Sequence, residues 1–130
     1  IGAIAVPVFS GYGVSAIEAR LNAVNAKALF TCDGFMRRGK KFDAFAIAKE
    51  AVGNCPSVEK VFVVKKIGTL SGSEVSLDYK EKFIDFEGLV DGGGWSSFWE
   101  SPPEPTSAED PLIILYTSGT TGKPKGIAHT

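Results

Sequence analysis

Short apolar runs alternate with stretches of helical periodicity along the first half of this chain, and few folds satisfy that alternation. Ile4-Ala5-Val6-Pro7-Val8-Phe9, Ala28-Leu29-Phe30-Thr31-Cys32 and Val61-Phe62-Val63-Val64 each read as an apolar extended segment. Between the first two, Ile17, Leu21 and Val24 recur at i, i+4 and i+7, one stripe of an amphipathic helix that ends near Asn25. Ser15, three residues before Glu18, predicts a capping box at its start. A second helix is expected from about Asp43 to Val52, with Ala44, Ile47, Ala48, Ala51 and Val52 inward and Gly53 as its stop. Strands buried by intervening helices call for an α/β fold, here a partial doubly wound parallel sheet with helices on both faces.

The pattern weakens from Gly68 to Ser107. Val75-Ser76-Leu77 suggests a short strand, and Phe83-Ile84-x-Phe86-x-x-Leu89-Val90 a helical stripe. Gly92-Gly93-Gly94 and Ser101-Pro102-Pro103-Glu104-Pro105 punctuate the rest as loop. Trp95 and Trp99, four apart, would share a helix face, and packing is the ordinary use of such a pair. Leu112 to Tyr116 then reads as a buried apolar strand.

That last strand delivers the chain into Thr117-Ser118-Gly119-Thr120-Thr121-Gly122-Lys123-Pro124-Lys125. Four hydroxyls, two glycines and two lysines in so short a span can surround an anion with backbone N–H groups, hydroxyl donors and ammonium charge together. Gly, Ser and Thr clusters are more often linkers, but linkers rarely follow a continuous apolar strand or end in Lys-Pro-Lys-Gly. A Walker-type loop fails at two defining positions, since Thr117 stands where the first glycine belongs and Pro124 where Ser or Thr should hold Mg²⁺.

With 130 residues, 44% of them hydrophobic, and a formal charge of −1, the chain can bury one modest core and carries no nucleic-acid footprint. It has no run of 18 apolar residues and no export or lipidation signal, so no membrane partner is expected and a cytoplasmic location is the default. Cys32 and Cys55 lie in separate elements without a CxxC or a nearby histidine, which argues for reduced thiols and against a metal site. His129, alone and without a carboxylate or nucleophile in view, reads as structural, with a place beside the loop that leaves an active-site role open.

Tyr116 through Gly126 resemble throughout the Tyr-Thr-Ser-Gly-[Ser/Thr]-Thr-Gly-x-Pro-Lys-Gly motif of the adenylate-forming superfamily, to which the acyl-CoA and acetyl-CoA synthetases belong. Glu104-Pro105, Ala108 to Leu112 and Ile127 to Thr130 are similar to the approach to and exit from that loop in the acetyl-CoA synthetase type. The resemblance implies an AMP-forming acyl-CoA synthetase that uses ATP, Mg²⁺ and coenzyme A to activate a small carboxylic acid. It assigns ATP phosphate contacts to Thr117, Ser118, Gly119, Thr120, Thr121, Gly122 and Lys125, with no catalytic residue in the chain. It also implies that residues 1–130 are a fragment of the large N-terminal domain ending at loop 116–126, inactive alone. The adenine, ribose and Mg²⁺ contacts would lie downstream.

Thr31-Cys32-Asp33-Gly34-x-x-Arg37-Arg38-Gly39-Lys40 resembles the segment in which Arg-x-Gly-Arg follows a strand and contacts coenzyme A phosphates. Arg37 matches the first arginine, and Lys40 replaces the second with a point charge that lacks the bidentate fork. Arg37, Arg38, Gly39 and Lys40 are therefore candidate coenzyme A residues, while charge alone reads as a solvated basic loop. Two alternatives stay open: a non-catalytic phosphate-binding or interaction fragment, and an adenylation domain with another acceptor.

Overall fold

In the computed structural model, which describes residues 1–70, 74–78, 80–91, 102–118 and 122–130, the elements in chain order are α1 (Val14–Ala23), β1 (Ala28–Cys32), β2 (Phe35–Arg37), β3 (Lys40–Phe42), α2 (Ala44–Gly53), β4 (Lys60–Val64), β5 (Phe83–Asp85), α3 (Phe86–Asp91), β6 (Ile113–Thr117) and β7 (Lys125–His129). They fall into two units, Ser10–Phe98 and Ile1–Phe9 with Trp99–Thr130. Gly92-Gly93-Gly94, Trp95, Trp99 and Ser101 lie outside the described residues.

The first unit is the expected α/β sheet. β1, β4 and β5 run parallel in the order β1-β4-β5. Period-two alternation along β4 sends Val61 and Val63, both fully buried, to one face. There they join Leu21 of α1, Phe45 and Val52 of α2, Cys55 and Val58, with Leu29 packed against the group. Phe62 points to the other face, where its ring stacks on Phe30 at 4.7 Å and the Phe86 ring of α3 meets both edge-on. Helices thus cover both faces.

Several local expectations need correction. Ile4–Phe9 is not a strand of this sheet: only Ala5 bridges, in parallel, to Ile113, through its N–H to the Leu112 carbonyl and its carbonyl to the Ile114 N–H. Pro7, two residues on, has no N–H with which to extend that ladder. The third strand is instead β5, whose residues read as helical in sequence. Its pairing with β4 fixes Phe83 to Asp85 as extended, and the Asp85 carboxylate then accepts from the Gly88 N–H at 3.2 Å and opens α3. Val75-Ser76-Leu77 contributes a single bridge from Ser76 to Ile84.

The Ser15 capping box does not form. Helix α1 begins at Val14 with Gly13 as an N-cap that offers no side chain, and the Glu18 carboxylate is taken by the Asn54 side-chain amide at 2.6 Å, tying α1 to the end of α2. The far end of α1 closes as a Schellman motif: Asn25 adopts φ 48°, its N–H donates to the Asn22 carbonyl, and the Ala26 N–H donates to Leu21. Asp43 caps α2 by accepting from the Ala46 N–H at 2.9 Å. Gly53 is the last helical residue and not the stop, and Phe45 joins the buried face ahead of Ile47.

Two buried carboxylates finish the C-terminal edge of the sheet. Asp33, fully buried after β1, accepts from the N–H groups of Lys66 (2.8 Å), Ile67 (3.0 and 3.2 Å) and Thr69 (3.0 Å) in the segment after β4. Asp85 pairs with the Lys65 ammonium at 2.6 Å. Burial by itself would push both acids up, but these donors outweigh it and hold each below its ordinary 3.8. A lowered native value means stabilisation that is complete above the unfolded-state value and lost as pH falls through the native one. Urea unfolding should therefore give nearly constant stability from about pH 7 to about pH 5 and a steep loss below about pH 4. Asp33→Asn should lower the plateau by about 1–3 kcal/mol and flatten the acid slope; an unchanged slope would contradict the assignment.

Candidate functional site

The basic segment is not a loop. Residues 35–42 form an antiparallel hairpin in which Phe35 pairs with Phe42, Met36 with Lys41 and Arg37 with Lys40. The turn is the two residues Arg38 and Gly39, both at positive φ (50° and 74°), as a hairpin of the type I′ class demands. Alternation places Phe35, Arg37, Lys40 and Phe42 on one face and Met36 and Lys41 on the other. The Phe35 and Phe42 rings stack at 4.8 Å. Cross-strand pairing therefore sets the two candidate phosphate contacts, Arg37 and Lys40, side by side above an aromatic pair. The Arg38 side chain leaves from the turn itself.

At the other candidate site, β6 and β7 pair antiparallel from Ile113↔His129 to Thr117↔Lys125. Tyr116 and Gly126, expected to lie in the loop, are opposed ladder residues instead. A Cβ at Gly126 would stand 3.1 Å from Cγ2 of Ile114 and 3.3 Å from the Tyr116 ring, so any larger residue would have to push these side chains aside. The ladder thus extends to the pair Thr117↔Lys125, and residues 118–124 connect its two strands. Gly122, at φ 79°, takes a conformation that favours glycine. Gly119, Thr120 and Thr121 lie outside the described residues. The run from Leu112 to Tyr116 is not buried: Leu112 is 65% and Leu115 40% exposed on this two-stranded ribbon. His129 ends β7 and uses its carbonyl to accept the Leu112 N–H at 2.8 Å.

Both cysteines are free thiols, and burial raises the value for Cys55 above its ordinary one, with Glu18 adding to the effect. Among the described residues no three His, Cys, Asp or Glu side chains converge as a metal site requires, and no helix is long and apolar enough to cross a membrane. The donors at the two candidate sites are guanidinium, ammonium, hydroxyl and amide groups, a set that fits phosphate.

The sequence model described as AMP-binding enzyme matches residues 1–130. The chain belongs to the AMP-binding enzyme family. It is 44% identical over 130 residues to the acetyl-coenzyme A synthetase of Methanothrix thermoacetophila, covering 99% of this chain and 18% of that protein. It is 41% identical to the acetyl-coenzyme A synthetase of Syntrophus aciditrophicus, covering all of this chain and 19% of that one. The chain thus spans about a fifth of the length of these relatives. Among solved structures it resembles acetoacetyl-CoA synthetase from Streptomyces lividans, with TM-score 0.65 and 27% identity over 90% of this chain and 16% of that one. An anthranilate CoA ligase in complex with anthranoyl-AMP shares the fold, with TM-score 0.66 at 23% identity over 99% of this chain and 20% of that one.

Asp33, Asp85 and Lys65 are the residues that sequence reasoning missed. Asp33 stood inside the Thr31 to Lys40 segment, and the available signal was an acid directly after an apolar strand and before a glycine. Gly34 itself is enforced, since a Cβ there would sit 2.6 Å from the Phe42 carbonyl oxygen.

The hairpin geometry makes a measurable claim. Gly39→Ala should destabilise by about 1–2 kcal/mol through the left-handed turn position, whereas Arg38→Asn, better suited to positive φ, should be neutral or stabilising. Thermal unfolding decides between this turn and a flexible loop, in which both substitutions would be silent.

Proposed function

We propose that this chain is part of an AMP-forming acyl-CoA synthetase, in which a small carboxylic acid and ATP give acyl-AMP and pyrophosphate, and coenzyme A then displaces AMP. The observation that carries the reading is the match to acetyl-coenzyme A synthetases along the whole chain, loop and basic hairpin included. In the first half-reaction the acid's carboxylate oxygen attacks the α-phosphorus of ATP, and charge builds on the leaving pyrophosphate. Thr117, Ser118, Thr120 and Thr121 hydroxyls, the loop N–H groups around Gly119 and Gly122, and the Lys125 ammonium stabilise that charge as preorganised donors. The opposition of Thr117 and Lys125 in the ladder supports a loop held at its root. In the second half-reaction Arg37, Lys40 and the Arg38-Gly39 turn hold coenzyme A by its phosphates while its thiol attacks the acyl carbonyl.

The chemistry asked of this chain is anion binding. Residues 1–130 alone should show no acid-dependent ATP–pyrophosphate exchange, while a full-length enzyme carrying them should. Within that enzyme Thr121→Val and Lys125→Ala should each lower exchange by about 10² or more. Unchanged rates in both variants would leave the loop structural and sink the reading. Replacing Arg37 and Lys40 together by Ala should weaken coenzyme A binding by about 1–3 kcal/mol, read as a raised KM in acyl-CoA formation, with exchange nearly intact.

A further inference from the structure

The hairpin that carries Arg37 and Lys40 is short, and its two strands pair only with each other among the described residues. Something else must fix its direction relative to the sheet. The last residue of β1 is Cys32, and the hairpin begins at Phe35, so Asp33 and Gly34 are its whole covalent joint to the sheet, while Asp43, the N-cap of α2, follows it at the other end. Asp33 is held on both sides of its backbone. Its N–H donates to the Val64 carbonyl at 3.0 Å, continuing the β1–β4 ladder by one residue. Its carboxylate gathers the N–H groups of Lys66, Ile67 and Thr69, pinning the segment after β4 beside the joint.

Gly34 translates that pinning into the hairpin. A Cβ at this position would lie 2.6 Å from the Phe42 carbonyl at the end of β3 and 2.8 Å from Cδ1 of Ile67. The backbone at 34 is thus wedged between the returning strand of the hairpin and a residue whose own N–H is clasped by Asp33. Phe42 in turn stacks on Phe35, and both share a face with Arg37 and Lys40. Release of the clasp would free Ile67, and with it the surface against which the root of the hairpin rests. The negative charge of Asp33 is spent on main-chain donors in a fully buried position.

We infer that Asp33 is a positioning residue for the coenzyme A phosphates, acting through the 66–69 segment and Gly34 on the orientation of Arg37 and Lys40. The inference rests on the hairpin being the coenzyme A contact proposed above. Misplacement of such contacts by a fraction of their length costs affinity steeply, so the effect should appear in one half-reaction alone.

The test uses full-length enzyme with Asp33→Asn, the double variant Arg37→Ala/Lys40→Ala, and the three changes combined, with Asp85→Asn as a control that breaks the neighbouring buried acid. Asp33→Asn should raise the KM for coenzyme A by about tenfold while acid-dependent ATP–pyrophosphate exchange stays within about twofold. Added to the hairpin double variant, it should change that KM by less than about twofold, because both act on the same contact. Asp85→Asn should leave the coenzyme A KM near that of the parent. A hairpin double variant that raises KM beside an Asp33→Asn that does not would overturn the positioning role and keep the hairpin reading. Full multiplication of the two effects, equal loss in both half-reactions, or an Asp85→Asn indistinguishable from Asp33→Asn would overturn it as well. A double variant with unchanged KM would remove the hairpin reading itself, and this inference with it. Should Asp33→Asn yield no soluble enzyme, Asp33→Ser, smaller and still an acceptor, is judged by the same outcomes.

Discussion

A carboxylate with no access to water, surrounded by main-chain N–H groups, is the constraint on which this α/β unit turns. Parallel strands need their C-terminal ends closed, because the segments leaving them carry backbone donors with no ladder left to enter. Asp33 resolves that problem for β1 and β4 together, accepting from three N–H groups, those of Lys66, Ile67 and Thr69, in the 66–69 segment. Without those donors a buried ionised acid would be costly; without the acid the donors would be orphaned. Asp85 performs the parallel task at β5, joined to Lys65 on one side and to the first turn of α3 on the other.

The distribution of charge follows from this arrangement. The chain as a whole is nearly neutral, yet its acids at the sheet edge are consumed internally, by backbone at Asp33 and by Lys65 at Asp85. The cations of the hairpin are grouped at its tip instead, Arg38 in the two-residue turn and Arg37 opposite Lys40 beside it. Lys40 adds its charge to that array without the bidentate fork that an arginine would offer.

The sequence was most legible where burial and periodicity agreed. Ala28 to Cys32 and Val61 to Val64 are strands as read, and the inward face of Ala48, Ala51 and Val52 follows directly from spacing. It misled where a tertiary partner competed with a local rule. Glu18 had the right spacing for a capping box, but Asn54, 36 residues away, offered its carboxylate a better partner. Phe83 to Asp85 fit a helical stripe, but the free edge of β4 claimed them as strand. At the candidate sites, residue types were readable and their framework was not: neither the type I′ turn at Arg38-Gly39 nor the ladder that sets Thr117 opposite Lys125 has a short-range sequence mark stronger than a glycine. Family membership came from the motif at Tyr116 to Gly126 and holds over the full chain.

We propose that two separate structures divide the phosphate chemistry, the loop at ATP and the hairpin at coenzyme A. Ionic strength tests it most directly, since both contacts are electrostatic and act in different half-reactions. In full-length enzyme, log KM for coenzyme A should rise with log salt, and Arg37→Ala/Lys40→Ala should flatten that slope while the salt dependence of ATP–pyrophosphate exchange stays as in the parent. Parallel slopes for coenzyme A in parent and variant, or a slope lost in exchange instead, would contradict it.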